Sequence, residues 1–400
     1  MRIAIVGPAA TEDLSDILCG QTQTLPRGYI GAPFVATLAQ ELLHRGHEVA
    51  VVTTDAALPW QGGTVHATQG RFSIGYVPQR ARAFRPSGAR VGRAVDLFRL
   101  ERRAIVSELA RIRPDVVHAH WAYEFGWAAI DSGLPHVVTC HDSPLVIARH
   151  ARSAYRWVRA AMAWHVMRRA RCVSAVSPYM CREAQRWARV PVHLVPNPLP
   201  SLVFEIIRKP ATAPRARVAM AGSGWSAFKN PQAGLRAFAL LRERMPTVEL
   251  NAFGADFGPG EVAERWARSR DLHHGVVFRG RVPHAEFLNA LADCDLLLHS
   301  SLEESFGAVL AEAQALGVVV VAGRSSGAAP WVVGDCGRLV DVTEPDQMAH
   351  AMFELLEEPA RRTALGERAR QRMREEFGVH AIAMAYEGLY ALARASATAF

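Results

Sequence analysis

Glu304 and Glu312 stand eight positions apart in Glu304-Ser-Phe-Gly-Ala-Val-Leu-Ala-Glu312, behind an apolar run Leu296-Leu-Leu-His that continues Ser-Ser-Leu-Glu303. The spacing predicts a strand that turns at Phe306-Gly307 into a helix. A helix starting there offers its free backbone N–H groups and the positive end of its dipole to a pyrophosphate, with Ser305, Phe306 and Gly307 supplying the turn. Glu304, just ahead of the first turn, is placed to accept hydrogen bonds from sugar hydroxyls. Glu312, roughly two turns in at about 3.6 residues per turn, is placed to reach a ribose diol. A glutamate pair at this spacing can also merely decorate a solvated helix. The flanks argue for a site: Ala315-Leu-Gly-Val-Val-Val-Val-Ala-Gly323 reads as a helix end, a glycine cap and a fully buried parallel strand.

The carboxylate pair, this helix–glycine–strand continuation, the turn Ser326-Gly327-Ala-Ala-Pro330-Trp331 and the strand Gly337-Arg-Leu-Val340 together resemble the Glu-x7-Glu group 1 enzymes of glycosyltransferase family 4. The resemblance covers nearly the whole chain. It implies a GT-B fold, an α/β architecture of two Rossmann-like, doubly wound parallel-sheet domains facing each other across a cleft. It also implies a retaining glycosyltransferase of hexosyltransferase type, which moves a sugar from a nucleotide-diphospho-sugar to a glycan or lipid-linked acceptor in bacterial cell-surface polysaccharide synthesis. No enzymic nucleophile is named, since front-face attack assisted by the leaving phosphate is the mechanism favoured for such enzymes. Two other readings stay open: a non-catalytic sugar-nucleotide-binding protein, and another GT-B enzyme such as a nucleotide-sugar epimerase.

Further residues carry the resemblance. Gly222-Ser-Gly224-Trp-Ser-Ala-Phe-Lys229 follows an expected strand and opens a helix. Gly224 lets backbone approach a phosphate, and Lys229 can neutralise charge on a departing diphosphate. The family often has an Arg beside the glycine; here Ser223 and Trp225 stand in that stretch, and no second cation is present. Asp115-Val-Val-His118-Ala-His120 ends another strand. The resemblance sends His120 towards the donor sugar, whereas strand alternation points His118 into the core. His141-Asp142 resembles the family's His-Asp turn, but Asp142 can equally cap the helix after Pro144. Gly28-Tyr-Ile-Gly31 resembles a phosphate-binding glycine loop with Gly31 about one position off the usual spacing. Arg279-Gly280 ends a strand where relatives lay the nucleotide base against backbone. Trp331 stands where many relatives have Glu.

These residues need a scaffold, and 400 residues at 50% apolar content can bury two substantial cores. Apolar runs alternating with helical patterns predict βαβ units throughout. In the first half, strands are expected at Ile3–Val6, Val49–Thr53, Val116–Ala119, His136–Cys140, Val173–Val176 and Val192–Val195. Helices are expected at Pro33–Arg45, Gly92–Ile112, Tyr123–Ser132 and Pro144–Arg171. A second series puts strands near Arg217–Ala221, Val248–Phe253, Val276–Arg279, Asp295–His299, Val318–Val321 and Arg338–Val340. The expected division is an acceptor-side domain at 1–198, a Pro-rich linker at 199–215 and a donor domain at 216–377. The resemblance brings a terminal helix at 378–400 back onto the first domain.

The six cysteines show no Cys-x-x-Cys spacing and no regular framework, so neither a disulfide framework nor a metal site is expected, and no cofactor is required beyond the donor substrate. No apolar run approaches the ~18 residues of a membrane span, and the apolar start at Met1 reads as a strand, not a leader, so a cytoplasmic protein is expected. The net charge of +8 is concentrated in the first half, with +8 in residues 71–113 and +9 in 149–189. Within Arg149–Arg171, Arg152, Arg156 and Arg159 fall on one helical face with Tyr155, Trp157 and Trp164 between them. That suits peripheral binding at the anionic inner face of the cell membrane, and equally a solvated arginine face. No nucleic-acid motif accompanies the charge, and nucleic acid is not expected as a partner.

Overall fold

The computed structural model describes every residue except 152, 209–215, 223 and 399–400. The chain divides into two compact units, Met1–Pro198 with Val379–Phe400, and Leu199–Gly378.

The first unit holds an eight-stranded sheet: β1 (Arg2–Val6), β2 (Glu48–Asp55), β3 (Val65–Gln69), β4 (Phe72–Pro78), β5 (Val116–His120), β6 (His136–Cys140), β7 (Val173–Ala175) and β8 (Val192–Leu194), in the order β3-β4-β2-β1-β5-β6-β7-β8. All pairs are parallel except β3 with β4. Helices cover the faces, so the central strands are apolar and buried along most of their length, as in Ile3–Val6 and Val49–Val52. The strand order reverses between β1 and β5, where Ile3 pairs with Val116 and Val6 with Ala119. Such a reversal opens a crevice at the carboxyl ends of the strands.

The second unit holds β9 (Arg217–Ala221), β10 (Glu249–Phe253), β11 (Val276–Gly280), β12 (Leu296–His299), β13 (Val319–Gly323) and β14 (Arg338–Val340), ordered β11-β10-β9-β12-β13-β14 and all parallel. Counted within the unit this is order 3-2-1-4-5-6, the doubly wound Rossmann arrangement, and its switch point lies between β9 and β12. Both units are thus Rossmann-like α/β sheets. Arg208 belongs to the second unit, where its guanidinium donates to the carbonyls of Gly317 and Cys294. Residues 209–215 of the expected linker lie outside the described residues.

Three local expectations are corrected. β3 and β4 were absent from the expected strands; they form a hairpin across Gly70-Arg71, with Gly70 at φ +58°, the glycine-first turn that suits tight hairpins. Gly75 and the terminal Pro78 dilute the apolar signal of β4. The helix expected from Gly92 begins only at Arg99, because Leu97 and Phe98 take left-handed backbone (φ +55° and +60°) where residues 79–98 fold around the buried Arg80. That guanidinium is held by Asp96 and Glu101 at 2.7 and 2.6 Å. The single helix expected over Pro144–Arg171 is two, Pro144–Ala151 and Ala154–Arg169, separated by the extended backbone of Ser153.

The last helix, Val379–Thr398, packs on the first sheet through Ile382, Ala383, Tyr386, Leu389 and Tyr390. Glu387 fixes its angle by binding Arg45 at 2.8 Å and His47 at 2.7 Å. Those hydrogen bonds, led by the one from Arg45, hold the Glu387 carboxyl at about 2.

Candidate functional site

The carboxyl ends of β9 and β12 bring together Lys229, His299 and Glu304. Lys229 leaves the loop after β9, just before the helix Pro231–Arg244. Ser300 Oγ donates to the Lys229 carbonyl at 3.0 Å, and the Leu302 N–H donates to the Phe228 carbonyl at 2.8 Å, so the loops after β9 and β12 are stitched together. That stitching brings Lys229 Nζ to 2.5 Å from Glu304 Oε1. The same oxygen lies 3.0 Å from Nε2 of His299, the last residue of β12. Burial pushes the Glu304 carboxyl up, but the His299 hydrogen bond and the charges of His299 and Lys229 outweigh it and hold the group at about 2. Lys229 keeps about a quarter of its side chain exposed, so the ammonium remains reachable.

A third loop buttresses this pair. The Ala328 N–H donates to the Glu304 carbonyl at 2.8 Å, and Ser326 Oγ donates to the Ser301 carbonyl at 2.6 Å. Gly327 has φ +59°, and a Cβ there would meet the Glu304 carbonyl oxygen at 2.3 Å, so the Ser-Gly turn requires glycine on two counts.

Gly307, at φ +86°, caps the helix Ala308–Ala315, whose first backbone bonds run from Leu310 and Ala311 back to the Gly307 carbonyl. The N–H groups of Ala308 and Val309, in the first turn, therefore have no acceptor within the helix. Ser305, Phe306 and Gly307 lie at that start, but the Phe306 ring is buried against Phe377 at 6.0 Å and belongs to the core, leaving only its backbone for a ligand. Glu312 sits in the second turn and binds His284 Nε2 at 2.8 Å, where the helix His284–Ala292 begins.

The glycine turn after β9 is partly satisfied from within. Gly224 has φ +114°, and the following Trp225 N–H donates to Asp256 Oδ2 at 2.9 Å. Ser223 lies outside the described residues. Gly280 (φ +69°) ends β11 packed on Gly258, and Arg279 Nε donates to Asn251 at 3.0 Å with its side chain on the exposed face. Lys229, Glu304 and the start of the 308–315 helix thus share one end of the sheet with Gly224, Gly280 and Glu312. Direct contact joins Lys229 and Glu304. Sequence reasoning missed His299 and Asp256. His299 had a signal, the one polar residue closing an apolar strand; Asp256 had none.

In the first unit, His120 closes β5 beside the switch point, where a Cβ on Gly7 would lie 3.0 Å from His120 Cβ. His120 is 1% exposed, packs on Phe34, and its Nδ1 lies 2.9 Å from His141 Nε2. Its Nε2 has no hydrogen-bond partner among the described residues. Burial, then the neighbouring His118 and His141, hold its pKa well below the usual histidine range, so the ring is neutral. His118 points into the core, with Nδ1 2.8 Å from the Tyr390 hydroxyl and Nε2 2.8 Å from Thr139 Oγ1. Asp142 accepts from the Tyr123 hydroxyl at 2.7 Å, and its burial raises its pKa. Gly28 serves the backbone: its N–H donates to Asp55, and a Cβ would strike the Ala9 carbonyl at 2.2 Å. Gly31 (φ +115°) is exposed with open space about it.

The basic face is corrected. Arg159 is buried, ion-paired with Glu124 and stacked 3.7 Å from the Tyr123 ring centroid. Arg152 lies outside the described residues. The outer face of the helix Ala154–Arg169 instead shows Arg156, Trp157 (50% exposed) and Trp164 (49%), with Arg168 over the Trp164 ring. Among the described residues no helix is long and apolar enough to cross a membrane.

Glu304 also predicts a pH response. Its folded pKa of about 2 lies below its ordinary 4.5, so the Lys229–Glu304–His299 cluster contributes stability that is complete above pH 4.5 and lost as pH falls towards 2. By linkage the contribution is about 3 kcal/mol. Glu304→Gln should flatten the acid limb of a melting-temperature profile between pH 5 and 3 relative to wild type. Parallel profiles would show that the carboxylate is not ionised through these contacts.

The Glycosyltransferase Family 4 model matches residues 32–200, and the model for Glycosyl transferases group 1 matches residues 208–372. The D-inositol 3-phosphate glycosyltransferase of Corynebacterium diphtheriae is 35% identical over 145 residues, 35% of this chain and 34% of that protein. The chain thus spans about a third of the length of the first curated relatives it matches. N-acetyl-alpha-D-glucosaminyl L-malate synthase of Bacillus anthracis is 25% identical over 90% of this chain and 93% of its own. Among solved structures, sucrose-phosphate synthase from Thermosynechococcus elongatus has a TM-score of 0.73 at 19% identity, covering 99% of this chain and 100% of that one. The Anabaena protein HepE, solved with UDP and glucose, has 0.65 at 16% identity, covering 97% and 98%.

Proposed function

Because this chain belongs to glycosyltransferase family 4, group 1, and is a glycosyltransferase of GT-B fold, we propose that its second unit binds a nucleotide-diphospho-sugar and transfers the sugar with retention. The observation that carries this reading is the Lys229–Glu304–His299 cluster at the β9/β12 switch point, beside the free start of the helix at Ala308. As the bond from the sugar to the diphosphate breaks, negative charge grows on the departing phosphate oxygens. Lys229 and the helix N–H groups stabilise that charge. Glu304 stays ionised throughout, fixes the ammonium and accepts hydrogen bonds from sugar hydroxyls. Glu312 accepts from the ribose diol. His120, neutral, offers an unpaired Nε2 as donor or acceptor on the acceptor-side unit. Lys229 supplies the positive charge, so the reading needs no metal. Retention rests on the family resemblance, and the HepE complex supports the donor class.

Thermal-shift binding against UDP-, GDP- and ADP-sugars tests the donor site. One nucleotide class should stabilise wild type, and Glu312→Ala should weaken that binding about tenfold or more, the loss of a charged hydrogen-bond acceptor. No stabilisation of wild type up to millimolar concentration would sink the assignment. Binding without turnover on any acceptor would favour the non-catalytic reading, and epimerised donor would favour an epimerase.

We take the acceptor to be a glycan or a lipid-linked glycan of the bacterial cell surface, reached from the cytoplasmic side. The exposed Trp157 and Trp164 beside Arg156 and Arg168 favour a peripheral place on an anionic bilayer. Sedimentation with phosphatidylglycerol vesicles should fall several-fold in Trp157→Ala/Trp164→Ala. Equal sedimentation of the variant and wild type would return this face to solvent.

A further inference from the structure

At the far end of the second sheet from Lys229, the turn between the helix Val262–Arg268 and β11 gathers Asp271, His273 and His274. We propose that these three side chains form a site for a divalent transition metal with borderline-soft preferences, such as zinc or cobalt, with water completing the coordination.

The geometry makes the case. One oxygen of Asp271 lies 2.9 Å from His274 Nε2 and 3.9 Å from His273 Nδ1. The three ligand atoms all fall within 4.8 Å of one another. Metal–ligand bonds of about 2.0–2.1 Å in a tetrahedral site put neighbouring ligand atoms about 3.4 Å apart, between those two spacings. Consecutive histidines converge because they use different nitrogens: Nδ1 of His273 lies close to the backbone, and Nε2 of His274 reaches outward. His273 Nδ1 is buried and has no hydrogen-bond partner among the described residues, and coordination to a metal would satisfy it. Two imidazoles with one carboxylate select this class of ion over magnesium or calcium.

The turn is also fixed in place. Leu272, between two of the ligands, packs on the core and donates its N–H to the Ala267 carbonyl at 2.9 Å. The Val276 N–H donates to the His273 carbonyl at 3.1 Å, and the Leu250 N–H to the Gly275 carbonyl at 2.9 Å. Asp271 holds left-handed backbone at φ +58°. The neighbouring arginines are already engaged: Arg268 pairs with Glu264 at 2.7 Å, and Arg270 stacks on Trp266. A bound ion would clamp the helix exit to the amino end of β11, away from the proposed donor site, and so stabilise the unit without entering the transfer step.

The test is a cobalt titration of the full chain without a polyhistidine tag, followed by visible absorption and by thermal shift. One saturable equivalent with a d–d band, displaced by zinc, is expected, together with a higher melting temperature. Asp271→Asn, His273→Ala and His274→Ala should each weaken binding about tenfold or more, since a ligand matters at least as much as the groups that orient one. His350→Ala, an exposed histidine elsewhere on the unit, should not. Asp271 is 82% exposed at its side chain, so its variant retains the fold. No band at millimolar cobalt overturns the site. A band that any of the three variants leaves unchanged overturns the three-ligand assignment.

Discussion

Lys229→Ala should lower the rate of glycosyl transfer about 100- to 1000-fold, or about 3–4 kcal/mol of transition-state stabilisation, while changing donor affinity far less. The reason is where the charge develops. The bound donor already carries its diphosphate charge, but the charge left on the departing oxygen exists fully only once the sugar bond breaks. An ammonium held 2.5 Å from Glu304 and anchored through Ser300 is positioned before that moment and needs no reorganisation. Lys229→Arg keeps the charge and should recover part of the rate. Turnover of the nucleotide sugar chosen by the binding panel, with kcat and KM separated, provides the check. A variant that loses donor affinity but keeps kcat would make Lys229 a binding residue and reassign the leaving-group role.

Glu124→Ala should destabilise the first unit by about 3–5 kcal/mol, lowering its melting temperature by roughly 6–20 °C, because it leaves the Arg159 guanidinium buried without its carboxylate. Glu124 and Arg159 are 1% and 9% exposed at their side chains. The arginine also rests on Tyr123, whose hydroxyl binds Asp142, so the loss spreads to the loop after β6. Glu124→Leu with Arg159→Met should recover much of the stability, since apolar groups of similar volume can replace a buried pair at little cost. Calorimetry on the three proteins distinguishes the cases. A shift under about 1 kcal/mol for Glu124→Ala would mean that water reaches the guanidinium, as at a surface pair.

The same arginine shows where sequence reading stops. Arg152, Arg156 and Arg159 share a helical spacing, and spacing alone cannot tell an outward arginine from one drawn in by a distant carboxylate; Glu124 is 35 residues away and came without a signal. Phe306 is a similar case. Its position at the helix start was legible, but Phe377, which buries its ring, lies 71 positions on. The antiparallel hairpin of β3 and β4 escaped because Gly75 and Pro78 interrupt the apolar pattern, although Gly70-Arg71 was a readable turn.

The sequence by itself determined the local parts of the candidate site: buried parallel strands, the Phe-Gly turn, Glu304 ahead of a helix and Glu312 within it, and Lys229 closing a glycine turn. These follow from local chemistry, since apolar runs, glycine backbone freedom and helix periodicity act over a few residues. Only the tertiary structure decided what those residues touch. Strand order β11-β10-β9-β12-β13-β14 sets β9 beside β12, and that adjacency joins Lys229, across 75 positions, to the Glu304 carboxylate that His299 already binds from its own strand end. Charge and burial are properties of neighbours, and neighbours in a parallel sheet are chosen by crossover topology, which no window of sequence contains.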